Sequence, residues 1–171
     1  MDTEIDILLA KQAILDQLHS YSRAVDRLDA ELFTSVWHSD GTLEFEGGAL
    51  KGNAHELVGT FMAFHDSLLA HVHQVSNVSI EVVGDRAASE SYAFAMLQVP
   101  ATETEPIGSQ HFRGRYLDRW SRREGRWRID HRQVVRGMFW SEPAPDSGRG
   151  AIARRGPEDP VYELFASLHR G

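Results

Sequence analysis

From Val72 to Phe139 the sequence alternates in the manner of β-strands and shows almost no helical spacing. Val72 to Val83 is rich in Val, Ile and Ser and stops at Gly84-Asp85, a pair that reads as a hairpin turn into Arg86–Val99. There Tyr92, Phe94 and Met96 alternate with small residues. Pro100 to Ser109 has no periodicity and contains two prolines, so it reads as a loop. A strand from about Gln110 to Ser121 follows, then the tight turn Arg123-Glu124-Gly125. The last strand runs from Arg126 to about Phe139, with Trp127 and Ile129 on one face. Four long strands joined in this way form an antiparallel meander, which excludes a βαβ architecture.

The first third has a different period. Ile7, Leu8, Ile14, Leu15, Leu18, Tyr21, Val25 and Leu28 recur at helical spacing and predict one amphipathic helix from about residue 5 to 28. Asp29 is placed to cap a short second helix through Leu32, Phe33, Val36 and Trp37. Ser39-Asp40-Gly41 reads as a turn, and Thr42 to Glu46 as a short strand ended by Gly47-Gly48. Asn53 is an N-cap for a third helix with Leu57, Val58, Phe61, Met62 and Leu68 on its buried side. The class is therefore α+β: a strongly curved, mixed or antiparallel sheet wrapped on N-terminal helices, with a pocket inside the curl. The domain expected is 1–140. Residues 141–171 form a tail, with a Pro-, Gly- and Arg-rich linker from Ser141 to Pro160 and a short closing helix over Val161–Leu168.

Composition removes several chemistries. The 171 residues include no cysteine, so disulfides, thiolate metal sites and cysteine nucleophiles are excluded. A formal charge of −7 argues against a general nucleic-acid partner, because phosphate neutralisation needs surplus positive charge. The N-terminus is acidic and lacks the basic and apolar regions of a secretory signal. No stretch approaches the ~20 apolar residues that span a bilayer. The expectation is a cytoplasmic protein without a membrane partner.

The sequence has no G-x-S-x-G elbow, phosphate-binding loop, G-x-G-x-x-G or H-E-x-x-H. Among its nine histidines, His71 and His73 occupy alternate positions of a predicted strand and point to one face. Such a pair binds a metal only with a further ligand, and no ligand cluster is visible, so neither metal nor organic cofactor is expected. The plainer reading puts His71 at the exposed mouth of the strand and buries only His73. Asp26 ends the first helix beside Val25, and Tyr21 lies about 140° away in projection, so both can border a pocket at the helix end. Arg23, Arg27 and Asp29 equally suit a solvated charged turn there. A carboxylate bound to an imidazole fixes the tautomer and raises basicity, which suits proton removal from carbon. Tyr21 can donate to a substrate carbonyl. His111 shares strand parity with Arg113 and Arg115; the histidine is a candidate general acid and the arginines are candidate contacts for an anionic substrate. The arginines from Arg113 to Arg136, with Asp118, Glu124 and Asp130 among them, read as a solvated, cross-strand-paired face. Asn77 shares the parity of His73 and either holds the histidine, faces the pocket or begins a bulge. Tyr92, Phe94 and Met96 read as core more than as an aromatic cage.

Three segments carry a resemblance. They are Tyr21-Ser22-Arg23-Ala24-Val25-Asp26-Arg27-Leu28-Asp29 followed by Phe33 to Gly41; His73-Gln74-Val75-Ser76-Asn77 running into Ile80 to Ala87; and Gly114 to Trp120 followed by Gly125 to Ile129. Together they span roughly residues 5 to 139. In their order and spacing the chain resembles the SnoaL-like branch of the nuclear transport factor 2-like superfamily. The resemblance implies an α+β cone with a deep apolar pocket. It groups the chain with dehydratases and dehydrochlorinases that use an Asp–His dyad. Asp26 and His73 fall at those positions, Asn77 at the accompanying H-x-x-x-N spacing, and Tyr21 at the tyrosine of the bile-acid dehydratase. His111 is similar in placement to the second histidine of scytalone dehydratase. The implied catalytic residues are His73, Asp26 and Tyr21, with His111 and Asn77 as substrate contacts; Tyr92 and Phe94 are further candidate contacts from the strand pattern. The implied function is a cofactor-independent lyase, a dehydratase acting on a small hydrophobic alicyclic or polyketide-like molecule. The alternatives are a ketosteroid-isomerase- or cyclase-like isomerase using the same pocket, or a non-catalytic ligand-binding protein. The family habit implies a homo-oligomer, dimer or trimer.

Overall fold

The computed structural model describes residues 3–48, 50–144, 155–156 and 158–170. The amphipathic N-terminal pattern forms α1 (Glu4–Arg27), opened by a reciprocal Thr3–Asp6 capping box and closed at Leu28 in the left-handed conformation. Asp29 accepts from the Leu32 N–H at 2.9 Å to cap α2 (Ala30–Ser35), and Asn53 accepts from the His55 N–H at 2.8 Å to cap α3 (Ala54–Asp66). The strands are β1 (Trp37–Phe45), β2 (Lys51–Asn53), β3 (Ala70–Val83), β4 (Arg86–Val99), β5 (Gly108–Arg123) and β6 (Arg126–Pro143). A last helix, α4, covers Pro160–Ser167. Among the described residues no helix is long and apolar enough to cross a membrane.

The six strands form one sheet in the order β2-β1-β6-β5-β4-β3. β3 to β6 are the expected meander, and β1 adds to β6 in parallel, so the sheet is mixed. One expectation fails here. Ser39-Asp40-Gly41 is not a turn, and Trp37 is not helical; both belong to β1. The pairing with β6 shifts register between Trp37 and Thr42, and this irregularity accommodates the polar, Gly-containing segment inside a strand. Gly41 is needed because a Cβ there would meet the Ile129 carbonyl oxygen at 2.8 Å.

The sheet bends where β5 and β6 shift register at Arg113/Gly114. A Cβ on Gly114 would collide with the Val135 carbonyl oxygen. Helix α1 packs chiefly against β3 and reaches β6, filling the concave side. Its buried stripe of Ile14, Leu18, Tyr21 and Val25 meets Phe33, Trp37, Leu43, Trp120, Ile129 and Val134. Tyr21, Phe33, Trp37 and Phe61 form a continuous aromatic cluster with centroid separations from 5.2 to 6.2 Å.

The basic run on β5 and β6 divides in two. Arg123–Asp130 and Arg115–Glu90 are partly exposed cross-strand pairs, as the pattern predicts, and Arg122 reaches Asp85 in the β3–β4 turn. Arg132 and Asp118 depart from it, because alternation turns both to the concave face. They are fully buried and joined by two parallel hydrogen bonds of 2.7 Å. The Arg132 guanidinium carbon lies 4.2 Å from the Tyr21 ring centroid and 4.1 Å from that of Tyr116. Burial opposes the charge, but the facing Asp118 outweighs it and keeps the Arg132 pKa above its ordinary value.

Of the linker expected over Ser141–Pro160, Ser141–Pro143 belong to β6 instead, and 145–154 and 157 lie outside the described residues. The closing helix is present as α4. Replacing Asp118 with Ala leaves Arg132 charged and unpaired in the core. The expected cost is about 3–5 kcal/mol in urea-induced unfolding. The same change at exposed Asp85 is expected to leave the midpoint nearly unmoved.

Candidate functional site

Topology makes β3 an edge strand, so half of its backbone N–H groups have no strand partner. The C-terminal end of α1 covers that edge. Asp26, in the last turn of α1, accepts the His73 backbone N–H through Oδ2 at 3.1 Å. Its other oxygen, Oδ1, accepts from His73 Nδ1 at 2.8 Å. One carboxylate thus holds both the strand position and the ring. The two side chains are only 12% and 9% exposed. Because Nδ1–H is committed to Asp26, His73 Nε2 carries the lone pair, and the ring lines a cavity of about 410 Å³.

The cavity lies between the concave sheet face, α1 and α3. Tyr21, Phe61, Ala95, Phe112, Tyr116 and Val134 give it apolar walls, while Thr60, Glu46, Arg136, Phe64 and Phe139 stand toward the open side. Tyr21 and Tyr116 share the floor above Arg132, 5.8 Å apart. Burial raises both phenol pKa values, and Arg132 beneath them pulls each part of the way back. They are neutral hydrogen-bond donors throughout the physiological range.

The structure places the other sequence candidates elsewhere. Strand parity decides it. On β4, Ala95 and Leu97 face the cavity, so Tyr92, Phe94 and Met96 face the convex side. On β5, Gln110 and Phe112 face inward, which turns His111 outward. There His111 stacks on Trp140 at 4.6 Å and bonds Glu142 at 3.0 Å. Tyr92, Met96, Met138 and Trp140 are exposed there, and Phe94 packs near His111 on the same face, so the substrate-contact reading of Tyr92 and Phe94 fails for this cavity, as does the core reading of Tyr92 and Met96. Asn77 is exposed and left-handed (φ 49°) in a bulge between Ser76 and Ser79, which takes it out of the His73 register. The bulge is the surviving one of its three readings.

His71 is not at an exposed mouth. It is buried, its Nε2 donates to the Val25 carbonyl at 3.0 Å, and its Nδ1 has no partner. Among the described residues no group of His, Asp or Glu is arranged to hold a metal.

Sequence reading missed His65. It follows Phe61 by four residues, so it continues the buried stripe of α3, and that spacing was the available signal. Its Nδ1 donates to the Phe61 carbonyl at 2.8 Å. Its ring lies 5.3 Å from His73 and 5.1 Å from His71, and it lines the cavity. Burial drives its pKa down to about 4, against the upward pull of the Phe61 carbonyl; neighbouring His73 and His71 add to the drop and Asp26 opposes it. Burial also lowers His71.

Residues of the tail brace this corner. Arg155 donates to the carbonyls of His65 (2.9 Å) and Leu68 (3.1 Å), satisfying the end of α3. Asp159 pairs with Arg27 at 2.8 Å, and the Tyr162 hydroxyl donates to Asp29 at 3.1 Å. The tail therefore docks on its own chain, behind the Asp26–His73 pair, and none of its described residues lines the cavity.

A model of the SnoaL-like domain matches residues 6–133. No curated protein matches the chain at a significant level. Among solved structures the chain is similar to the Kfla4162 protein from Kribbella flavida, at 18% identity and a TM-score of 0.72, over 79% of this chain and 95% of that one. It is similar to hexachlorocyclohexane dehydrochlorinase LinA-type3 from Novosphingobium barchaimii LL02, at 21% identity and TM-score 0.71, over 84% and 97%. It is also similar to a variant of Rv3472, a function-unknown protein from Mycobacterium tuberculosis, at 23% identity and TM-score 0.59, over 98% and 94%. These likenesses establish a shared fold.

His65 has a folded pKa below the ordinary 6.5, so an unfolded chain takes up the proton first as pH falls. The stability is complete above about pH 6.5 and is lost between there and about pH 4. Urea midpoints followed across that window should fall in the wild type, and less steeply in His65→Phe. Ring-proton titration by NMR should place His65 among the lowest of the nine histidines.

Proposed function

The chain belongs to the SnoaL-like family, and from that premise we propose that it is a cofactor-independent lyase of the dehydratase type. The substrate class is a small hydrophobic ring compound with a carbonyl and a β-hydroxyl. The observation that carries this reading is the bare Nε2 of His73 in an apolar cavity, with Nδ1–H held by Asp26 at 2.8 Å. A base so placed removes a proton from the carbon next to the carbonyl. Asp26 stabilises the imidazolium that forms, and Tyr21, with Tyr116 beside it, donates to the oxygen on which negative charge develops. The electron pair left on carbon forms the double bond as the C–O bond to the β-hydroxyl breaks. The imidazolium returns its proton to the departing hydroxide, so the net loss is one water.

Elimination on this scaffold is supported by the likeness to a dehydrochlorinase, whose name denotes loss of hydrogen chloride. His111 has no part in the reaction, since it lies on the far face of the sheet. The exposed convex patch of Tyr92, Met96, Met138 and Trp140 is the surface through which the chain is expected to self-associate. Light scattering should then give a dimer or trimer that Trp140→Glu dissociates.

With a panel of cyclic β-hydroxy ketones, formation of the conjugated enone is followed by absorbance. Asp26→Asn and His73→Ala are each expected to lower the rate by about 10²–10⁴-fold with unchanged circular dichroism. Near-normal elimination in either variant would sink the proposal. In deuterium oxide, a bound cyclic ketone should exchange its α-hydrogen through His73. Ligands that bind without exchange would instead mark a binding protein, and exchange with a shifted double bond an isomerase.

A further inference from the structure

The cavity holds two imidazoles, and the proposed elimination uses only one. The tautomer of the second follows from its surroundings. His65 Nδ1 lies 2.8 Å from the Phe61 carbonyl oxygen, which can only accept, so Nδ1 carries the proton. Nε2 is then a lone-pair acceptor. No other described group bonds His65 through its side chain, and the ring lines the cavity. His73 Nε2 has the same character, because Asp26 holds its Nδ1–H. The two ring centroids are 5.3 Å apart. Two imidazoles, each with an acceptor nitrogen not bonded to another described group, therefore line one small apolar space.

The surroundings keep His65 in that state. Its ring is wedged against Phe61 at 4.5 Å and Phe64 at 5.1 Å, and its backbone carbonyl is held by Arg155. Burial resists protonation down to about pH 4. It is therefore a poor competitor for a carbon-bound proton and a steady acceptor for an O–H. An acceptor buried in an apolar cavity loses its hydration on ligand binding and favours ligands that replace it.

We infer that His65 Nε2 accepts the hydroxyl hydrogen of the bound molecule, and that the cavity is therefore selective for ring compounds carrying a hydroxyl. The inference rests on the elimination reading and deepens it: with its hydrogen given to His65, the β-hydroxyl turns an oxygen lone pair toward the His73 imidazolium that protonates it on departure. His65 touches the leaving group without taking or giving a proton.

The test uses the full chain and three probes of similar shape: 2-naphthol, 2-methoxynaphthalene and naphthalene. The wild type should bind 2-naphthol about 3- to 10-fold more tightly than the two probes without a donor, as one net hydrogen bond allows. His65→Phe keeps an aromatic ring beside Phe61 and should reduce that preference to near parity. His65→Gln, which restores an acceptor, should recover part of it. Nitrogen NMR of the wild type, which needs no variant, should show His65 protonated at Nδ1, with its Nε2 resonance moved by 2-naphthol and not by 2-methoxynaphthalene. An Nε2–H tautomer, a wild type without the preference, or a preference retained in His65→Phe would overturn the inference. A preference lost in His73→Phe but kept in His65→Phe would overturn it while leaving the elimination reading intact. Loss of elimination in His73→Ala is measured separately, so the two readings fail by different observations.

Discussion

The cavity depends on a charge placed where charge is costly. Arg132 is wholly buried between two tyrosine rings, and Asp118 meets it with two parallel hydrogen bonds. Both residues lie on paired positions of β5 and β6, so the ion pair also pins the register of the two longest strands. Tyr21 from α1 and Tyr116 from β5 lie against the guanidinium, which ties the helix to the sheet. Removing water from such a pair is unfavourable, and close geometry offsets that cost. The consequence is a rigid floor with two phenol groups set at the bottom of an apolar space.

At the cavity's other side the organising constraint is an unpaired sheet edge. β3 exposes backbone donors that nothing in the sheet can satisfy, and the end of α1 supplies the acceptors. Asp26 bonds the strand and the ring of the same residue, while the Val25 carbonyl takes the His71 ring. Three imidazoles then sit within 6.0 Å of one another without mutual hydrogen bonds, each with its proton assigned by a different oxygen. Backbone satisfaction and chemical readiness are here the same set of contacts. The described residues of the tail act on this corner from outside: Arg155 bonds the end of α3, Asp159 pairs with Arg27 at the end of α1, and neither lines the cavity.

Much of the architecture is legible in the residues. Periodicity switches from helical to alternating near Leu69, caps stand at Asp29 and Asn53, and turn residues stand at Gly84-Asp85 and Glu124-Gly125. Each reflects local backbone chemistry that acts within a few residues. The failures share one cause. Trp37 to Gly41 reads locally as a helix end and turn, yet becomes strand because β6 offers a parallel partner more than eighty residues away. Asn77 follows His73 by an even number of residues, yet a bulge displaces it from that register.

From the residues alone come the kind and order of the elements other than β2, which no pattern announces, and the placing of Asp26 at a helix end and His73 at a strand start, where they can meet. Their meeting, the entry of His65 into the same space, and the turning of His111, Tyr92 and Phe94 to the far side follow from packing between distant segments. The physical reason is that alternation tells which residues share a face of a strand but not which face becomes concave. That choice is made by the bend at Gly114, the burial of the Arg132–Asp118 pair and the packing of α1, all of which act between segments far apart in the chain.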